Sequence, residues 1–201
     1  MILTLSRRAE AVLKVRGSRF LGFAIPVESE EEASRMIAGL GDEHSGATHC
    51  CYAYRIGRGD QAVERTHDAG EPAGSGGAPI LSVIKGRRLG NLLVAVVRYF
   101  GGTKLGIGGL ARAYRDTAKA AVQAGTLEER ELRRRLTVTL PLPMVGEARS
   151  QLARLGGELL SESYAAMADL SLVIGESREE ELRRTLDDLT RGAARWSGGG
   201  E

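Results

Sequence analysis

The stretch RYFGGTKLGIGGLARAY, residues 98–114, joins the apolar run Leu92–Val97 to a helix-like segment through glycines at 101, 102, 106, 108 and 109. Its reading decides the fold. The text from Asn91 to Phe100 is a near-continuous apolar run, as expected of a strand buried on both faces. From Leu110 to Gly125, Leu110, Tyr114, Ala118, Ala121 and Val122 recur at helical spacing, and Arg112, Arg115 and Lys119 share the opposite face. A strand therefore hands over to a helix through a bare, glycine-rich loop. Free N–H donors and the partial positive charge of a helix start, beside Arg98, Lys104 and Arg112, suit an anion site; the alternative reading is a tight turn followed by a solvated basic helix face. The candidate anion- or nucleic-acid-binding set is Arg98, Gly101, Gly102, Lys104, Gly108, Gly109, Arg112, Arg115 and Lys119.

Working outward toward the amino terminus, Ala11–Arg16 and Arg19–Val27 form a hairpin about Gly17 and Ser18. Ser29 with Glu30, Glu31 and Glu32 reads as a capped helix start, and Gly41 as its end. A second strand pair, Ala47–Ile56 and Gln61–Thr66, leads into Asp68–Gly77, whose glycines suit close backbone approach rather than an ordinary helix start. Pro79–Lys85 is expected to be helical. Beyond Gly125 a polar connector precedes strand Leu136–Leu140, helix Pro143–Leu155, and strands Glu158–Tyr164 and Ala166–Ile174. A helix capped by Ser177 and running to Leu189 comes next, and Ala193–Trp196 forms a closing strand. That β-α-β-β-α-β order is the ferredoxin-like split unit. The expectation is an α+β protein of two domains, residues 1–134 and 135–201, with a frayed tail from Ser197 to Glu201.

Charge follows the same division: residues 1–134 carry net +5 and the remainder net −3, within a total of +2. Lys85, Arg87, Arg88, Arg98, Lys104, Arg112, Arg115 and Lys119 crowd between residues 85 and 119 against the single acid Asp116. Arg7, Arg8 and Glu10 interrupt any amino-terminal apolar segment, and Leu92–Val97 is too short to span a bilayer. The two cysteines, Cys50 and Cys51, are adjacent, which gives no disulfide framework. Together these point to a cytoplasmic protein without a membrane partner.

His44, His49, Cys50, Cys51 and His67 gather near Asp68 and Glu71. His49 and Cys51 share a strand face, on which His67, Asp68 and Glu71 can converge, but no HExxH or CxxC supports a metal site. As an acid–base set, His49, Asp68 and Glu71 are the alternative catalytic candidates; structurally, Asp68 caps the following turn and Glu71 pairs with an arginine. There is no GxxxxGK[ST] phosphate loop and no Gly-x-Ser-x-Gly nucleophile turn, so a binding module is favoured over an enzyme, with no cofactor and no metal expected.

In HCCYAY from His49, HDAGEPAGSGGAPIL from His67 and RYFGGTKLGIGGLARAY from Arg98, the chain resembles the IMPACT/YigZ family in residues, order and spacing, from about Arg19 to Gly125. It departs at Ala69, where an acid is usual, and at Ser75 and Gly76, where Thr-Ala is usual. The resemblance implies an amino-terminal domain similar to domain IV of elongation factor G and a carboxy-terminal domain similar to its domain V. It further implies RNA or ribosome contact in translational control, with a protein partner as a further expectation and no DNA specificity. Three functions follow as expectations: a translation-associated regulator binding RNA, the ribosome or another phosphate-bearing partner; a small hydrolase or metal-dependent enzyme; and a protein-interaction regulator that binds no nucleic acid.

Overall fold

The structure, a computed structural model, describes residues 1–197. The chain divides into two compact units, Met1–Arg130 and Glu131–Glu201. The first begins with β1 (Ile2–Leu5), the hairpin β2 (Ala9–Val15) and β3 (Ser18–Pro26), and α1 (Glu30–Glu43). Then come β4 (His49–Ile56), β5 (Val63–His67), α2 (Gly77–Gly86), β6 (Leu92–Tyr99), α3 (Gly106–Ala124) and β7 (Leu127–Arg130). Five strands make one antiparallel sheet in the order β2-β3-β6-β4-β5, so β6 is central, with β3 and β4 on its flanks.

Every residue of β6 from Leu92 to Arg98 is buried because both sheet faces are covered. Leu92, Val94 and Val96 face α2 and α3 with Phe20, Ala24 and Ala53, while Leu93, Ala95 and Val97 face α1 with Phe23 and Ile25. A buried aliphatic side chain contributes roughly 1.5–3 kcal/mol over an exposed one, so this strand is the first unit's main apolar reserve. α1 starts as its sequence dictates, the Ser29 side chain accepting from the Glu32 N–H at 3.2 Å, but it runs through Gly41 to Glu43.

Three further outcomes differ from the sequence reading. The amino-terminal Ile2–Leu5 pairs antiparallel with Leu127–Arg130, so part of the expected polar connector is a strand. α3 starts at Gly106, which puts Gly108 and Gly109 in its first turn; packing of Leu110, Ala113 and Tyr114 on the sheet outweighs the low helix propensity of glycine. Ser177 caps no helix: it lies within a short 3-10 turn, Glu176–Arg178, ahead of the last helix, and its hydroxyl donates to Glu131.

The second unit holds β8 (Arg133–Leu140), α4 (Val145–Arg154), β9 (Glu158–Tyr164), β10 (Ala168–Gly175), α5 (Glu179–Leu189) and β11 (Arg195–Ser197). Its antiparallel sheet has the order β11-β8-β10-β9. Leu136, Val138, Leu140, Leu170, Leu172 and Ile174 pack with Leu152, Leu182 and Leu186 of the two helices into a separate core. Ser197 ends β11; the rest of the expected frayed tail, residues 198–201, lies outside the described residues. Among the described residues no helix is long and apolar enough to cross a membrane.

Candidate functional site

Alternation along β4 turns His49 and Cys51 to the face covered by α2 and α3, and β6 delivers Arg98 beside them, since His49 and Arg98 are register partners. The loop of residues 68–76 closes over this face. Asp68 organises the loop: its Oδ2 accepts from the Gly74 N–H, and its Oδ1 from those of Gly76 and Gly77, each at 2.8 Å. Burial works against its charge, but the three backbone donors outweigh it and hold the Asp68 carboxyl below the ordinary range. Side chains are excluded at this turn, because a Cβ on Gly76 would lie 2.5 Å from Cys51 Sγ and one on Gly77 2.7 Å from the His67 nitrogen.

With the loop so fixed, Glu71 points inward. Arg98 Nη1 donates to its Oε1 at 2.6 Å, and the Tyr114 hydroxyl, from the inner face of α3, donates to the same oxygen at 2.8 Å. His49 Nε2 lies 3.9 Å from that oxygen, while His49 Nδ1 donates to the Ala69 carbonyl at 2.8 Å. The Cys51 thiol donates to the Asp68 carbonyl at 3.0 Å, and burial above all pushes its pKa up to about 12. Tyr114 is likewise raised, chiefly by burial. The Arg98 guanidinium lies 5.5 Å from the Phe20 ring and 5.3 Å from that of Phe100, and its Nε is buried without a hydrogen-bond partner.

His49 and Glu71 thus meet, and Glu71 pairs with an arginine. Asp68 turns both carboxylate oxygens to the backbone donors of the loop. His67 does not converge on the cluster: its ring stacks on Tyr52, centroids 5.2 Å apart. Among the described residues no group of three or more His, Cys, Asp or Glu side chains is arranged to hold a metal ion.

The same assembly corrects two members of the anion-binding set. Arg98 is buried and already neutralised, because the even-numbered residues of β6 turn toward the helices rather than to solvent. Gly101 offers no free donor, since its N–H is given to Ser18 Oγ at 3.1 Å. Its backbone presses on the β2–β3 turn so closely that a Cβ would sit 1.9 Å from the Gly17 carbonyl carbon.

The rest of the set lies outside this knot. Gly102, Lys104 and Gly108 are exposed, and Gly109 is half-buried. The residue before α3, Leu105, provides no side-chain cap, so the first N–H groups of the helix have no side-chain acceptor. Arg112, Arg115 and Lys119 are exposed on the helix whose inner face carries Tyr114. Among the described residues none of Lys104, Arg112, Arg115 and Lys119 has a carboxylate partner, nor has Arg16 on the adjoining turn. Elsewhere Arg8, Arg55, Arg65, Arg130, Arg133, Arg134 and Arg149 meet acids, whereas among the described residues Arg7, Arg35 and Arg88 are also exposed without one. Sequence reasoning missed Ser18, which it read only as a turn residue, and Tyr114, which it counted among the apolar stripe. The even spacing of Arg98 with Val94 and Val96 was the available signal for the buried arginine.

Comparison with known proteins sets this geometry in context. Residues 16–122 match the family model of the Impact N-terminal domain. The chain is 32% identical over 189 residues to the IMPACT family member YvyE of Bacillus subtilis, covering 94% of this chain and 87% of that protein. It is 28% identical over 183 residues to the IMPACT family member YigZ of Escherichia coli, covering 90% of each. A crystal structure of a hypothetical protein matches with a TM-score of 0.75 at 26% identity, over 100% of this chain and 98% of that one.

Proposed function

The chain belongs to the IMPACT family, and on that premise we propose that it is a translation-associated regulator that binds RNA, alone or within the ribosome, through the outer face of α3 and the loop before it. Lys104, Arg112, Arg115 and Lys119 neutralise phosphates, and the backbone at Gly102, Gly108 and Gly109 allows close approach. Arg98 and Gly101 act beneath that surface by holding the loops that shape it. The observation that carries the proposal is the row of exposed cations without carboxylate partners, beside a helix start without a side-chain cap.

The translational setting comes from the family resemblance, with the first unit read as similar to domain IV of elongation factor G. The second unit is read as ferredoxin-like, similar to domain V; its sheet order β11-β8-β10-β9, with a helix after the first and third strands of the unit, supports that reading. Such a protein works in the cytoplasm. The hydrolase alternative is disfavoured by the engagement of Asp68 with three backbone donors and of Glu71 with Arg98 and Tyr114.

The test is binding of RNA and of ribosomes across a salt series, for the protein and its Arg112→Glu, Arg115→Glu double variant. Affinity for single strands falls with salt at a slope of about −0.7 per neutralised phosphate, and the double variant loses both affinity and slope. Unchanged binding by the double variant overturns the reading. Capture of a protein, undiminished after nuclease treatment and by the same surface, replaces it with an interaction regulator.

A further inference from the structure

Beside the basic row, a cleft of about 170 Å³ opens between the end of β2 and the first turns of α3. Val15, Leu105 and Ala113 give it an apolar floor, and Arg16, Arg112 and Asp116, all exposed, stand around it. Drug-sized ligands take clefts of roughly 300 Å³ and upward, so its occupant is a smaller body, and an apolar floor rimmed by charged groups suits one heterocyclic base with its apolar face and polar edges.

Asp116 is the informative residue. It is the single acid among the many cations of residues 85–119, and it stands on the helix between Arg112, Arg115 and Lys119. For a surface that only tracked phosphates, a carboxylate there would repel the ligand. Nor does it serve as a structural counter-ion, because among the described residues it accepts no hydrogen bond and makes no ion pair. A carboxylate on the wall of a base-sized cleft is suited instead to a donor edge. Of the four RNA bases, guanine alone presents two adjacent donors, N1–H and N2–H, on its Watson–Crick edge. Adenine and cytosine set a ring nitrogen acceptor beside their amino group, and uracil flanks its one donor with two carbonyls, so each places negative density against the acid.

We infer that this cleft is a guanine subsite for single-stranded RNA, with Asp116 accepting from the base edge and Arg16 and Arg112 holding the phosphates on either side. The inference rests on the reading of the basic face as an RNA surface and adds base specificity to it. Gly109, which also lines the cleft, keeps that wall free of a side chain.

The test uses oligonucleotides of about nine residues, all uridine or uridine with one central guanosine, adenosine or cytidine, in fluorescence anisotropy with the full chain and its Asp116→Asn variant. The protein prefers the guanosine strand by roughly tenfold. Asp116→Asn abolishes the preference, while the all-uridine strand binds at least as tightly because a repelling charge has gone. Equal binding of all four strands by the unaltered protein, or a guanosine preference that survives in Asp116→Asn, overturns the subsite and leaves the RNA surface standing. Failure of every strand to bind overturns the subsite, while the RNA surface stands or falls by the RNA and ribosome salt series. Because the Asp116 side chain packs in no core, thermal unfolding of the variant matches that of the parent and confirms that the comparison is between folded proteins.

Discussion

Arg98 Nη1 and Glu71 Oε1 stand 2.6 Å apart in a compartment that leaves 6% and 4% of the two side chains exposed. This pair ties the 68–76 loop to the central strand, and Tyr114 brings α3 into the same knot. The surface that carries Arg112 and Arg115 is therefore held in place by an arginine that never reaches it.

Removing one member of a buried ion pair leaves the other charge uncompensated, at a cost of about 3–5 kcal/mol. Glu71→Gln is expected to lose that much stability in urea unfolding. Replacing both residues by apolar ones, Arg98→Met with Glu71→Leu, is expected to cost less than the two single changes summed. A Glu71→Gln protein as stable as its parent would show that the knot contributes nothing.

Asp68 makes stability depend on acid. Its folded carboxyl titrates below the ordinary value, so its contribution is complete above the unfolded aspartate pKa of about 3.9. That contribution fades as pH falls from there through the lower folded value. Asp68→Asn, which retains one acceptor but loses the charge, is expected to cost about 1–3 kcal/mol near neutrality. It should also flatten the acid limb of a stability profile measured between neutral pH and pH 3; a variant with an unchanged acid limb would refute this account.

Ala69 sits at φ +48°, in the left-handed region that a methyl side chain disfavours by roughly 1–2 kcal/mol and that asparagine tolerates better. Its carbonyl holds the His49 ring, so the strain is retained for a contact made by the backbone alone. Ala69→Asn should therefore raise stability by about 0.5–1 kcal/mol without changing RNA affinity, as read by thermal unfolding and by binding.

Much of this was legible in the residues. The apolar run of β6, the hairpin about Gly17, the Ser29 cap and the amphipathic text of α3 were readable because each is a local pattern. The association of Glu71 with an arginine was also anticipated, but not its identity. Long-range facts were hidden: Leu3 faces Glu129 across most of the first unit's length in sequence, and nothing in Leu127–Arg130 alternates strongly enough to announce a strand. The charge count placed Arg98 with Lys104 and Arg112 because counting ignores facing: Arg98 turns inward from β6, while Lys104 lies in the exposed loop and Arg112 on the outer side of α3. The cleft was unreadable for the same reason, since Arg16 and Asp116 come to line it only through the docking of α3 on β2.

The order β2-β3-β6-β4-β5 gives the first unit a keystone that comes late in synthesis. On the ribosome, β2–β3 and β4–β5 emerge as two separate hairpins, and their facing edges stay open until residues 92–99 clear the exit tunnel and wedge between them. Until then each hairpin is an invitation to pair with a neighbouring nascent chain. Closure of this sheet thus waits on contacts distant in sequence, the class of pairing that folds most slowly.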